Sequence, residues 1–130
     1  MEITFVIGRI LFGGFFVLMG MNHFTRYSAM VGYAISKRVP FPRVSVPVTG
    51  LMIVFGGPGI VSGVASYVPL AVLLITVFLL LVNIKMHNFW AISDPQEKSM
   101  QMIQFFKNTA LLGAALMILS IPAPWPANLF

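Results

Sequence analysis

Four long apolar segments dominate the pattern of hydrophobic and polar positions along this 130-residue chain. They cover about residues 3–21, 46–64, 68–87 and 103–121. Each is about 20 residues long, which is the length an α-helix needs to cross roughly 30 Å of hydrocarbon. Open strands leave their backbone groups unsatisfied in lipid, so we interpret all four segments as helices. The pattern predicts an all-α fold: one integral membrane domain over residues 1–130, built as a four-helix transmembrane bundle.

Residue types that favour helix N-termini precede the second, third and fourth segments. Candidate N-caps are each followed by a proline at or near the first turn: Ser45 with Pro47, Ser66 with Pro69, and Asp94 with Pro95. Glu97 stands three residues after Asp94, which is the spacing of a capping box. The fourth helix should therefore begin well before its apolar part.

The connections between the segments differ in length. Only three residues separate the second and third segments, which predicts a tight antiparallel hairpin. The first connection is long, and its apolar residues from Tyr27 to Ile35 recur at helical spacing. This spacing predicts a short interfacial amphipathic helix between the first and second spans. The alternating prolines of Val39-Pro40-Phe41-Pro42 should then impose an extended stretch.

Composition and charge agree with a membrane protein and suggest its orientation. The chain is 58% hydrophobic and 8% charged, has no cysteine and carries a formal net charge of +5. This composition excludes an ordinary soluble enzyme and a disulfide-stapled module. Basic residues form no stripe on a polar surface, so we expect no nucleic acid partner. They concentrate in the two longer connections: Arg26, Lys37, Arg38, Arg43 and Lys98. The positive-inside rule then places both long connections in the cytoplasm and both termini outside the cell membrane.

Polar residues near the ends of the predicted helices form a candidate binding site. Antiparallel packing brings the ends of the first and third spans and the start of the fourth to one membrane level. The candidate ligand-binding residues are Arg9, Asn22, His23, His87, Trp90, Lys107 and Asn108. No acid lies at the same depth, and ionisable groups within spans are functional candidates by default. Such a site suits a quinone headgroup that becomes anionic, a small oxyanion or a phospholipid headgroup.

Several alternatives stay open for these residues. Lys85 and Lys107 are also placed to snorkel to lipid phosphates, and Trp90 is typical of an interfacial aromatic belt. His23 and His87 together would suffice as axial ligands of a haem. We expect no metal site, because the nine methionines form no tight ligand motif. Asp94, the only aspartate, is better used as a cap, so no catalytic triad is available and enzymatic activity stays undecided.

Three stretches of the sequence resemble the DoxX family. They are GRILFGGFFVLMGMNHF, GLMIVFGGPGIVSG and MHNFWAISDPQEKSMQMIQFFKNTALLGAALMI. The resemblance implies a small four-helix membrane protein. It also implies a link to the DoxD-like subunits of thiosulfate:quinone oxidoreductase, and therefore quinone as a cofactor. The residues that fall in matching motifs are Arg9, Asn22, His23, His87, Phe89, Trp90, Lys107 and Asn108.

Three functions remain in competition at this point. The first is a quinone-interacting subunit of a membrane redox complex. The second is a structural or accessory subunit of a larger membrane complex without chemistry of its own. The third is a small transporter or lipid-binding protein. All three predict membrane lipids, together with other membrane subunits or further copies of this chain, as partners.

Overall fold

The fold is all-α throughout the part of the chain that our computed structural model describes, residues 1–129. Five α-helices follow one another: α1 (Glu2–Thr25), α2 (Tyr27–Ser36), α3 (Pro42–Ser62), α4 (Val68–Lys85) and α5 (Pro95–Ile118). A single 3-10 turn, Phe89–Ala91, lies between α4 and α5. The four predicted apolar segments thus all fall in helices or at their ends, and α2 is the short helix predicted within the first connection.

Within residues 1–129, three stretches are long and apolar enough to cross a membrane. They are Glu2–Thr25, Pro42–Ser62 and Val68–Ala91, with hydropathies of 2.0, 1.8 and 2.4. The fifth helix has the same 24-residue length as α1 but begins with a polar turn that includes Gln96, Glu97 and Lys98. The structure therefore establishes a helical protein with three candidate membrane-spanning helices.

The closest helix contact joins α1 and α3 and depends on facing glycines. A Cβ placed on Gly57 would lie 2.5 Å from the Gly13 carbonyl oxygen, and one on Gly13 would lie 2.6 Å from that of Gly57. Further along the same contact, Gly20 faces the backbone of Val54 and Gly50 faces His23. Small residues let two helix backbones approach in this way, as is common between membrane helices. The contact fixes the position of His23 relative to α3.

Helices α3 and α4 pack against each other near the short connection between them. Gly59 lies against Ala71, and Gly56 lies against Ile75. The Tyr67 hydroxyl donates a hydrogen bond to the Phe55 carbonyl at 2.5 Å. Burial raises the pKa of Tyr67, which keeps the hydroxyl protonated and able to donate. The predicted antiparallel hairpin is therefore present, and the hydrogen bond of the partly buried Tyr67 holds it.

The start of α3 differs from the sequence-based prediction. The helix begins at Pro42 instead of after Ser45, and Phe41 is its N-cap with a left-handed φ of 49°. The stretch from Val39 to Pro42 is consequently a sharp turn and is not extended. The Ser45 hydroxyl donates back to the Pro40 carbonyl at 2.6 Å, so it stabilises this turn and does not cap the helix.

The early start of α3 places Pro47 inside the helix, where it has no N–H to donate to the Arg43 carbonyl. The Tyr27 hydroxyl of α2 donates to that carbonyl at 2.8 Å. A side chain of α2 thus supplies the hydrogen bond that the proline removes. This bond ties α2 to the first turns of α3.

The two remaining N-cap predictions have different outcomes. Helix α4 is capped by Tyr67, so the prediction of Ser66 is wrong by one residue. At α5, Asp94 is the N-cap and its carboxylate accepts from the Glu97 N–H at 2.9 Å, as predicted. The Glu97 carboxylate instead pairs with Lys37, which follows the last residue of α2, at 2.9 Å, so it connects the start of α5 to the end of α2.

After α5, the chain folds back over the end of the bundle that holds the N-terminus. Trp125 is almost completely buried and its ring meets that of Phe5 edge-on, with centroids 5.1 Å apart. The Leu129 N–H donates to the Ser62 carbonyl at 3.1 Å. This C-terminal segment, residues 119–129, closes one end of the bundle, opposite the end at which α2 lies.

Candidate functional site

A cleft of about 460 Å³ lies between the α1–α3 pair and the α4–α5 pair. Helix α2 and the turn after it close the cleft at one end. Within the described chain, α1 packs on α3, α3 on α4, and α4 on α5, whereas α1 and α5 share little direct backbone contact. Most of the wall is apolar or aromatic, with Phe15, Met19, Met30, Met52, Phe78 and Val82 among its residues. A volume of this size falls within the usual range of small-molecule sites.

Polar side chains of all five helices and of the segment after α4 line the same cleft. Chain reversal places the C-terminal ends of α1 and α4 near the middle of α5. Five of the seven candidate residues therefore share one cavity: Asn22, His23, His87, Lys107 and Asn108. Lys85 lines it as well. Among residues 1–129, no acidic side chain belongs to this wall.

His23 has a fixed orientation on α1. Its Nδ1 lies 2.8 Å from the Met19 carbonyl oxygen, one turn earlier in the helix. A carbonyl oxygen only accepts, so Nδ1 carries the proton. The ring packs edge-on against Phe78 of α4, with centroids 5.9 Å apart. The neutral imidazole therefore has an unprotonated Nε2, to which no other described residue donates a hydrogen bond.

His87 belongs to a hydrogen-bonded chain that connects three parts of the fold. Its Nδ1 lies 2.7 Å from Gln101 Oε1 on α5, and Gln101 Nε2 donates to the Tyr33 hydroxyl of α2 at 2.7 Å. The Gln101 side chain is buried. A smaller cavity of about 310 Å³ adjoins this chain and shares Tyr33 and His87 with the cleft.

Sequence reasoning did not find Tyr33 and Gln101 as parts of the site. One signal for Gln101 was present: Gln101, Gln104 and Asn108 lie at helical spacing and share one face of α5. Tyr33 has no local signal, because its partner lies 68 residues away along the chain.

Lys107 lies on α5 at the side of the cleft that faces α1. Its Nζ donates to Gln104 Oε1 at 2.6 Å and lies 5.9 Å from the centroid of the Phe15 ring. The amides of Asn22 and Asn108 make no side-chain hydrogen bond to other described residues. The cleft thus offers two amides, two imidazoles and an exposed cation to a ligand that lies against its apolar walls.

Trp90 does not line the cleft. It is 57% exposed and packs edge-on against Phe89 and Phe105, with ring centroids 5.5 and 5.7 Å away. These aromatic rings form a patch on the outer side of the turn that precedes α5. This placement matches the interfacial aromatic alternative better than a position beside a ligand.

Arg9 also lies apart from the cleft, at the opposite end of the bundle. It is 4% exposed, and its Nη2 donates to the Ala127 carbonyl. Its guanidinium lies 6.0 Å from the Trp125 ring centroid and against Gly63, which ends α3 with a φ of 68°. Nε and Nη1 have no hydrogen-bond partner among residues 1–129. The structure therefore assigns Arg9 to the contact with the C-terminal segment.

Comparison with known proteins identifies the family of the chain. The family model described as DoxX matches residues 4–88, about two thirds of the chain. The match includes α1, α3 and α4 with His23 and His87, and it ends before α5. The third resembling stretch thus lies almost entirely outside it. No curated protein and no solved structure matches the chain. This small helical membrane protein belongs to the DoxX family.

Proposed function

We propose that this protein binds a quinone headgroup in the cleft and acts as a quinone-interacting subunit of a membrane redox complex. The observation that carries the proposal is the cleft itself. An apolar space of about 460 Å³ receives two imidazoles, two amides and a lysine that have unused hydrogen-bonding capacity. An apolar pocket with a few convergent polar groups is the usual form of a small-molecule site.

The chemistry of the wall suits a quinone. A quinone headgroup is a flat apolar ring with two carbonyl oxygens, so it needs apolar contact on its faces and hydrogen bonds at its edges. Phe15, Met19 and Phe78 offer the apolar contact. Reduction places negative charge on the oxygens, and the Lys107 ammonium at the cleft wall would stabilise that charge. Electrons would arrive from a partner subunit that oxidises a donor such as thiosulfate.

We further propose that the bundle crosses the membrane four times. Helix α5 is as long as α1 and lies antiparallel to α4, to which Asn83 binds it through the Phe105 carbonyl. From Ile103 onward it exposes large apolar side chains that would face lipid: Ile103, Phe106, Leu116 and Met117. Helix α2 would then lie at the interface, on the cytoplasmic side of the cell membrane where the basic connections gather, with both termini outside.

Filling the cleft from its rim tests the proposed ligand site. Val48 lines the cleft and is half-exposed, whereas Val44, one turn earlier on α3, is exposed and does not line it. Val48→Trp should weaken binding of a decyl-substituted benzoquinone to the detergent-purified protein at least about tenfold, which corresponds to about 1.4 kcal/mol. Val44→Trp should bind it like the wild type.

Two results would contradict the proposal. Equal quinone affinity of Val48→Trp and the wild type would exclude the cleft as the site. The second result is a wild type that binds no quinone but co-purifies with a phospholipid that Val48→Trp loses. In that case the cleft would be a lipid-binding site and not a quinone site. Thiosulfate and phospholipid added as competitors distinguish an oxyanion site and a headgroup site from a quinone site.

A further inference from the structure

We infer that Gln101 allows His87 to offer either a hydrogen-bond donor or an acceptor to the ligand, so that the cleft holds the oxidised and the reduced form of a quinone. The inference rests on the proposed function and specifies the ligand of the same site. Gln101 acts through His87 and is therefore a positioning residue.

The geometry places an amide between two groups that can each donate or accept. Gln101 lies 2.7 Å from His87 Nδ1 on one side and 2.7 Å from the Tyr33 hydroxyl oxygen on the other. The amide is 8% exposed, which limits competition from water. An imidazole nitrogen and a phenol oxygen both change roles according to where the proton lies.

Two proton arrangements fit the same positions of the heavy atoms. In the first, Gln101 Oε1 accepts from His87 Nδ1–H, and Gln101 Nε2 donates to Tyr33. In the second, the amide is turned by half a rotation, so that its NH₂ donates to His87 Nδ1 and its oxygen accepts from the Tyr33 hydroxyl. Both hydrogen bonds survive, and the number of protons is unchanged. The difference is that the His87 proton moves from Nδ1 to Nε2.

The two arrangements match the two redox forms of the ligand. A quinone carbonyl only accepts, so it pairs with the Nε2–H of the second arrangement. A hydroquinone hydroxyl donates to the Nε2 lone pair of the first. His23 has no such freedom, because the Met19 carbonyl oxygen only accepts and keeps the proton on Nδ1. The cleft thus combines one histidine of fixed tautomer with one that adapts.

The experiment compares the affinities of both redox forms in variants with opposite roles at position 101. Gln101→Glu presents only acceptors to His87 and Gln101→Lys presents only donors. Dissociation constants of a decyl-substituted benzoquinone and of its hydroquinone are measured anaerobically at about pH 8.5, where an ordinary imidazole is neutral. Gln96→Glu and Gln96→Lys carry the same charge changes on an exposed position of α5 and serve as matched controls.

We expect opposite shifts in the ratio of the two dissociation constants. Gln101→Glu should favour the hydroquinone by about three- to tenfold, and Gln101→Lys should favour the quinone by a similar factor, as one matched hydrogen bond allows. Lowering the pH charges His87 and makes Nε2 a donor, so the preference of Gln101→Glu should then reverse. The quinone and the hydroquinone are both neutral, so a changed charge on the protein does not by itself alter the ratio of their dissociation constants. Both ligands are titrated on one preparation, so partial misfolding does not alter that ratio either.

The outcomes separate the inference from the proposed function. Ratios that stay unchanged, or that shift in the same direction in both variants, overturn the inference while quinone binding stands. Failure of the wild type to bind either form overturns the proposed function and the inference with it.

Discussion

The Lys107 ammonium of α5 lies 5.9 Å from the centroid of the Phe15 ring on α1. These two helices otherwise share little direct contact within the described chain. A cation over an aromatic face contributes roughly 0.5–2 kcal/mol, depending on its exposure. The pair therefore bridges the two sides of the cleft with a contact that is weak enough for a ligand to replace.

Replacing Lys107 should affect charged ligands most. Lys107→Met should weaken binding of a hydroxynaphthoquinone that is anionic at neutral pH by about tenfold, because the ligand loses one charge-assisted contact. Lys98→Met, on an exposed site of the same helix, is the control and should leave the dissociation constant unchanged. Equal losses in the two variants would indicate a general effect of net charge and contradict a local role of Lys107.

The glycine contact between α1 and α3 predicts a position-specific loss of stability. Gly57→Ala would press its methyl group against the backbone of Gly13, which cannot yield without separating the helices. We expect a loss of about 1–3 kcal/mol, measured as a lower midpoint of thermal unfolding in detergent. Gly14 has open space around its Cβ position, so Gly14→Ala should be neutral or slightly stabilising.

The bond from Tyr27 to the Arg43 carbonyl can be isolated by a double-mutant cycle. Tyr27→Phe should lower the free energy of unfolding by about 1 kcal/mol, since it leaves the carbonyl without a donor. Pro47→Ala restores the helical N–H, so Tyr27→Phe should cost much less in that background. Equal costs in both backgrounds would show that the tyrosine acts by packing alone.

The absence of cysteine from the chain allows its orientation to be mapped without interference. Three exposed serines suit this purpose. Ser66 lies between α3 and α4, Ser99 near the start of α5, and Ser120 just after the end of α5. Ser66→Cys and Ser120→Cys should react with an impermeant maleimide added outside intact cells, and Ser99→Cys only after the cells are opened. If Ser120→Cys and Ser99→Cys reacted from the same side of the membrane, α5 would not cross it and a fourth span would be refuted.

Buried Arg9 should reduce the stability of the isolated chain. Two of its guanidinium nitrogens lack hydrogen bonds among residues 1–129, and an unpaired buried cation is costly. Arg9→Met should therefore raise the free energy of unfolding by about 1 kcal/mol or more, whereas Trp125→Ala should lower it by about 3–5 kcal/mol through the cavity it leaves. A destabilised Arg9→Met would mean that its contacts with Ala127 and Trp125 outweigh the cost of burial.

Local patterns predicted most of the helices, because long apolar runs and the Asp94 cap determine structure over short range. The start of α3 was mispredicted, since the left-handed conformation of Phe41 depends on contacts such as the one from Ser45 to Pro40. Antiparallel order alone was enough to bring His23 and His87 into one cavity. The positions of Arg9 and Gln101 were beyond such reasoning, because their partners belong to distant segments of the chain.

The half-exposed apolar residues Val48 and Leu81 at the cleft wall have a consequence for how any binding constant is measured. In a bilayer, such a rim meets hydrocarbon, so a lipid-soluble ligand reaches the cleft sideways without crossing water. Its occupancy then follows the mole fraction of ligand in the lipid and not the amount added per volume of buffer. Doubling the lipid at constant protein should double the apparent dissociation constant, and affinities in vesicles become comparable only when expressed per lipid.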